Sequence, residues 1–209
     1  MKDKTEQLIN QLLVRHSAVV PMLTDRLIII GLLLSFSLAL LLLAPLGFRA
    51  QWSVLALLKT VALFAFTFAL LRCTQLSSQP AEYSYREYQG AALSALVGGG
   101  ALLAIGWLAP ELSLADALAE PSFWSCVAWI GVVATFCLLG LFRLLRRAKP
   151  LYRWRLVLSC SGLAGFLAAT VYSLRCPVDA LAYLSTAYLL AMLLVVSIGY
   201  GLSRRLWHW

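Results

Sequence analysis

The sequence predicts an all-α polytopic membrane protein, a bundle of six transmembrane helices with both termini in the cytoplasm. Hydrophobic residues make up 62% of the 209-residue chain and charged residues 12%, about half the charged share of an ordinary soluble domain. Mean hydropathy is +0.85. Six apolar runs lie at roughly 27–46, 53–72, 91–109, 124–142, 154–174 and 180–203, each long enough to cross about 30 Å of hydrocarbon as a helix. Lys and Arg are distributed unequally over the connections, and this sets the orientation.

The first run begins behind a mixed-charge stretch and lacks a small-residue cleavage site after it. It therefore reads as a retained helix and not a signal peptide. Residues 1–26 form a separate cytoplasmic amphipathic segment, and residues 27–209 form the transmembrane domain. The second run contains Lys59, the only formally charged residue well inside a span. Two roles fit it: a long stem that snorkels to the outer face, or one partner of an ion pair. Small residues recur at helical spacing: Gly98 to Gly100 in the third run, Ser161, Gly165 and Ala169 in the fifth, and Ser197 and Gly201 in the sixth. Such stripes let helices approach closely where lipid supplies no hydrophobic drive to associate.

With the amino terminus inside, the cytoplasmic segments collect Lys2, Lys4, Arg15, Arg26, Arg72, Arg86, Arg143, Arg146, Arg147, Lys149, Arg153, Arg155, Arg204 and Arg205, and the outer loops hold only Arg49 and Arg175. This positive-inside bias, together with anionic inner-leaflet lipid, accounts for the net charge of +8 without direct nucleic-acid binding. Indole rings favour the headgroup layer. Trp52, Trp107 and Trp124 fall at outer span ends and Trp154, Trp207 and Trp209 at inner ones, with Trp129 about a turn deeper.

The connections differ in character. Loop 73–90 is polar, with Pro80 as a breaker and Tyr83, Tyr85 and Tyr88 as interface anchors; outer loop 110–123 carries Glu111, Asp116 and Glu120. The basic stretch 143–155 reads as a positive-inside anchor on lipid phosphates.

Catalytic constellations are scarce. The two histidines, His16 and His208, lie on the cytoplasmic side, and the chain has no Cys-x-x-Cys, Walker or His-Glu motif. No Asp or Glu falls inside a span, where a transporter ordinarily handles its ion or substrate. Nothing in the chain calls for a cofactor.

Five cysteines remain, and they sort by depth. Cys73, Cys137 and Cys160 read as small apolar filler. Cys126 and Cys176, in separate apolar segments, both map to the outer rim of the bundle. In a bacterial periplasm a disulfide between them is chemically permitted. Closing the loop between them would constrain the unfolded chain by roughly 4 kcal/mol in the chain-entropy account, provided the Cα atoms come within about 7 Å. A functional thiol pair and two unrelated small residues both remain open at this point.

The second half of the chain, from SCVAWIGVV through LRRAKP to GLAGFLAATVYSLRCPVDALAY, resembles the NrsF family of six-span membrane anti-sigma factors. That family pairs a cysteine upstream of a Leu-Arg-Arg-x-x-Pro segment with a second in a His-Cys-Pro element. Here Cys126 precedes Leu145-Arg146-Arg147-Ala148-Lys149-Pro150, and Cys176 lies in Arg175-Cys176-Pro177. The departures are Arg175 in place of the histidine, and an acidic and serine run reduced to Val178-Asp179-Ala180. They weigh against a metal site that needs the histidine or further carboxylates, and leave Cys126 and Cys176 as the metal-ligand candidates.

The resemblance implies an inner-membrane anti-sigma factor that holds an extracytoplasmic-function sigma factor until metal or oxidative stress at Cys126 and Cys176 releases it. Residues 3–15 supply a candidate docking helix, with Leu8, Ile9, Leu12 and Leu13 on one face; an amphipathic helix lying on the inner leaflet is the competing reading. Two other classes stay in play, a membrane thiol oxidoreductase and a small transporter or accessory subunit. The first lacks a second cysteine pair, and the second lacks acids within its spans.

Overall fold

The computed structural model describes residues 21–43, 47, 49, 53–78, 88–90, 92–93, 118–145, 153–176 and 178–206. Five long helices follow in chain order: α1 (Pro21–Leu43), α2 (Val54–Ser78), α3 (Pro121–Leu144), α4 (Arg153–Ser173) and α5 (Leu181–Leu206). The described residues contain no strand. All of the expected third span, 91–109, except residues 92–93, and the amino-terminal segment with Leu8, Ile9, Leu12 and Leu13 lie outside the described residues.

Four of these helices contain stretches long and apolar enough to cross a membrane: Ala56–Ser78, Pro121–Leu144, Arg153–Ser173 and Tyr183–Arg205. α1 holds a shorter apolar stretch, Ile28–Leu41. Their outer surfaces are apolar, as a lipid environment would require. Leu34, Leu41, Phe64 and Phe68 each leave more than half of their surface uncovered, an arrangement that water penalises and hydrocarbon does not.

The boundary of α2 departs from the sequence reading, which ends the span at Arg72 because CTQLSS is polar. The helix continues to Ser78. Thr74 returns its hydroxyl to the Leu70 carbonyl at 2.8 Å, Ser77 to Thr74 at 3.1 Å and Ser78 to Gln75 at 2.7 Å. Short hydroxyl side chains that bond back onto their own helix remove their polarity from the surroundings. Cys73, Thr74, Gln75, Leu76 and Ser78 are all buried.

α4 is the centre of the packing. It contacts each of the other four helices, and 83% of its apolar window is buried against 22% for α2. Its small residues make this possible. A Cβ at Gly165 would collide with the Met192 sulfur of α5, and one at Gly199 of α5 would collide with the Ser161 hydroxyl of α4. The α4 stripe of Ser161, Gly165 and Ala169 therefore faces neighbours as the spacing predicts. On α5 the expectation fails. Ser197 and Gly201 face outward, and nothing lies within 4 Å of a Cβ built at Gly201. The helix turns Ala191, Val195 and Gly199 inward instead, with Gly199 against Ser161 and Leu138.

Hydroxyl pairs lock α2 to α4: Thr60 with Ser173 at 3.1 Å and Thr67 with Thr170 at 3.2 Å. Thr60 and Thr67 also bond to the carbonyls of Ala56 and Leu63. Cys73, Cys137 and Cys160 are buried small side chains, as expected of filler.

Replacing Gly165 by Val is expected to cost about 1–3 kcal/mol through overpacking, and Gly201→Val is expected to be close to neutral. Residual monodisperse protein after heating in detergent checks both; equal losses would show that the α4–α5 seam is not tight.

Candidate functional site: two buried thiols beneath a charged clamp

Every element that builds the site reaches the same end of the bundle: the α1–α2 connection, the start of α3, and the α4–α5 connection. Gly47 in the first of these has φ +81°, a left-handed conformation that glycine adopts without steric cost. Two residues later comes Arg49. Its backbone N–H donates to the Leu174 carbonyl at 3.1 Å, which draws the α1–α2 connection against the end of α4.

Asp179 is the hub. Arg49 grips its carboxylate with both guanidinium nitrogens, Nη1 to Oδ1 at 2.7 Å and Nη2 to Oδ2 at 2.6 Å. Ser53 donates to Oδ2 at 2.9 Å and Lys59 to Oδ1 at 3.1 Å. Both oxygens thus accept two bonds, as a carboxylate largely removed from water requires. The Ser53 hydroxyl also accepts from the Ala56 N–H at 3.0 Å and so caps α2. Asp179 precedes Ala180, whose carbonyl accepts the first bond of α5 from Leu184 at 3.1 Å. The carboxylate therefore sits by the amino ends of two helices, where the backbone dipoles favour negative charge.

This arrangement decides between the two roles open to Lys59. Its side chain is only 7% exposed and pairs with Asp179, and it also donates to the Val178 carbonyl at 3.4 Å. The stem runs toward the end of the bundle that carries Asp179, and the ammonium ends on that fixed partner and not in the headgroup layer.

Beneath the clamp lie the two thiols. Cys126 on α3 and Cys176 after α4 are both fully buried and close enough to interact electrostatically. Their rim position in the sequence suggested contact with the outer compartment; the structure instead covers them. Both are free thiols. Tyr183 and Tyr172 lie in the neighbourhood of Cys126, and Tyr183 is held by Ser122 at 3.2 Å and by edge-on packing against Phe123. Trp129, the indole placed a turn too deep for the headgroup layer, packs on Tyr172 at 5.4 Å between ring centres. Tyr188 of α5 is buried too, and its hydroxyl has no hydrogen-bond partner among the described residues. The Cys176 S–H points to the Val178 carbonyl at 3.6 Å.

Burial pushes the Cys176 thiol above its ordinary value of 9.0, and nearby Lys59 opposes this only in part. The thiol is therefore protonated at neutral pH and a poor nucleophile. Among the described residues no group of three or more His, Cys, Asp and Glu side chains is disposed to hold a metal ion. An ion bound at the thiols would take two sulfur ligands, a donor set suited to soft cations.

Sequence reasoning found the cysteines and passed over Arg49, Ser53, Asp179 and the tyrosines. One signal was available: Asp179 is an acid three positions after Cys176, at the end of the bundle that carries the cations Arg49, Lys59 and Arg175.

The Arg49 hydrogen bonds hold the Asp179 carboxyl well below its usual value of 3.8, against the opposing effect of burial, and Ser53 and Lys59 add to the pull. A carboxyl depressed in the folded state stabilises the fold fully above its unfolded pKa and loses that contribution as pH falls through the folded one. Asp179→Asn is thus expected to lower the thermal midpoint of the detergent-solubilised protein at pH 7. The gap to the unsubstituted protein should narrow only below about pH 4. A gap that closes already between pH 7 and pH 5 would contradict the assignment.

No curated protein and no solved structure matches the chain. A sequence model of the NrsF family, described as negative regulator of sigma F, matches residues 12–209. That span takes in the clamp, both buried thiols and all five described helices, and the chain belongs to the NrsF family.

Proposed function

We propose that this protein is an inner-membrane anti-sigma factor that sequesters an extracytoplasmic-function sigma factor, and that Cys126 and Cys176 sense the stress that releases it. The observation that carries the sensing half is convergence. Two cysteines 50 positions apart in sequence, on different helical segments, lie in one buried cluster, and family membership supplies the regulatory role. A thiophilic metal ion would bind both sulfurs with loss of two protons; an external two-electron oxidant would join them as a disulfide with the same loss. Either event changes the packing between α3 and the α4–α5 connection.

The charge pattern supports an orientation with this cluster toward the periplasm. Among the described residues, the opposite end of the bundle carries Arg26, Arg72, Arg143, Arg153, Arg155, Arg204 and Arg205, as a cytoplasmic face would. Several are anchored there: Arg153 donates to the Ser203 carbonyl, and Arg155 lies over the rings of Tyr88 and Trp154. The sigma factor would then meet the amino-terminal segment, with Leu8, Ile9, Leu12 and Leu13 as the docking face.

A thiol oxidoreductase fits the site less well, because a buried thiol with a raised pKa reacts slowly with substrate disulfides. The one carboxylate of the site, Asp179, has both oxygens occupied by protein donors, which leaves little for a transported ion.

Two experiments test the proposal. Tagged full-length protein is expected to copurify the sigma factor encoded with it, and a form lacking residues 2–20 is expected to lose it. Absence of capture by the intact protein would sink the anti-sigma reading. Separately, Cys126→Ser with Cys176→Ser is expected to abolish induction of a sigma-dependent reporter by cadmium or by diamide while leaving the protein in the membrane. Normal induction in that double variant would remove the cysteines from the mechanism.

A further inference from the structure

The bonds that fix the Cys176 loop come from one side of the molecule. Arg49 binds it on both sides of the cysteine, through its backbone N–H to Leu174 and its guanidinium to the Cys176 carbonyl at 3.2 Å and to Asp179. Lys59 binds Val178 and Asp179, and Ser53 binds Asp179. All of these donors belong to the α1–α2 connection and α2. Cys126, the other thiol, belongs to α3. A shift of Cys176 toward or away from Cys126 therefore moves the loop against the bonds that tie it to α2.

We propose that Arg49, Lys59 and Asp179 are positioning residues whose ion pairs keep the Cys176 thiol buried and set how readily it reacts, an inference that rests on the sensing role proposed above. The physical basis is a coupled equilibrium. A fully buried sulfur reacts only in the fraction of molecules whose loop has opened, and opening this loop separates Asp179 from its two cations at the edge of hydrocarbon, where unpaired charges are costly. The clamp thereby fixes the size of the reactive minor state, and the chemistry at sulfur draws on that state. The role is distinct from that of the cysteines: it governs access, and none of the three residues needs to touch metal or oxidant.

The test is the rate of N-ethylmaleimide labelling at each cysteine, read by peptide mass spectrometry on full-length protein in isolated membranes. Asp179→Asn and Arg49→Gln are expected to raise the Cys176 rate by about tenfold or more. Asp179→Glu, which keeps the charge, should stay within about threefold of the unsubstituted protein. Cys137 and Cys160, buried elsewhere in the bundle, serve as internal controls and should not change. Unaltered Cys176 labelling in both neutralised variants overturns the proposal; so does a parallel rise at Cys137 and Cys160, which marks general loosening of the fold. Should Asp179→Asn fail to accumulate, Arg49→Gln and Lys59→Met carry the same comparison. A sigma-dependent reporter on the same strains separates the two readings. Faster Cys176 labelling with an unchanged response to cadmium or diamide supports the clamp and counts against the cysteines as the sensor.

Discussion

Asp179 is the constraint on which the cysteine end of this protein depends. An acid at the edge of a hydrocarbon layer is tolerated only if its charge is matched and its lone pairs are filled. Here one carboxylate meets a bidentate arginine, a lysine and a serine. Those partners all lie between positions 49 and 59, so satisfying the carboxylate ties the α1–α2 connection and the amino end of α2 to the loop before α5. The cap of α2, the direction of Lys59 and the burial of Cys176 follow from that one requirement.

The rest of the bundle is organised by close approach. α4 contacts all four other described helices, and it can do so because its residues at the α5 seam are small enough for side chains of the neighbour to occupy the space a Cβ would take. Several polar groups on this helix are consumed in pairs, such as Thr170 with Thr67 and Ser173 with Thr60, while the buried Ser161 hydroxyl has no hydrogen-bond partner among the described residues. Lipid-facing and protein-facing sides then differ in size and shape more than in polarity. That is the expected condition where the solvent is itself apolar.

This division explains what could be read from the chain alone. Apolar runs longer than a bilayer is thick are visible in any window, and four of them correspond to described helices that meet that length. The location of Cys126 and Cys176 at one end of the bundle was legible because the order of the spans brings the start of α3 and the end of α4 to the same side, whatever the packing. The ion-pair hub was not, since Arg49 and Asp179 are 130 positions apart and complementarity between single charges has no periodicity to betray it. Lys59 could be recognised as anomalous, but its partner depended on which loop folds over α2. The outward turn of Ser197 and Gly201 shows the same limit: small-residue spacing marks a surface that can be approached, and does not say which of two such faces a neighbour takes.

Cys126 lies near the start of α3 and Cys176 just past the end of α4, so the sulfurs stand at the open end of a helical hairpin. Its closed end, beyond Arg143 and before Arg153, lies a helix length away. A helix of 24 residues such as α3 is about 36 Å long. Treated as rigid rods pivoting near the sulfurs, two such helices convert a change of roughly 3° in their crossing angle into a displacement of about 2 Å at the far tip. The hairpin is in that sense a lever with its short arm at the thiols, and its geometry amplifies a small adjustment there into a movement of the far helix ends, which carry Arg143 and Arg153, as large as a change of side-chain contact.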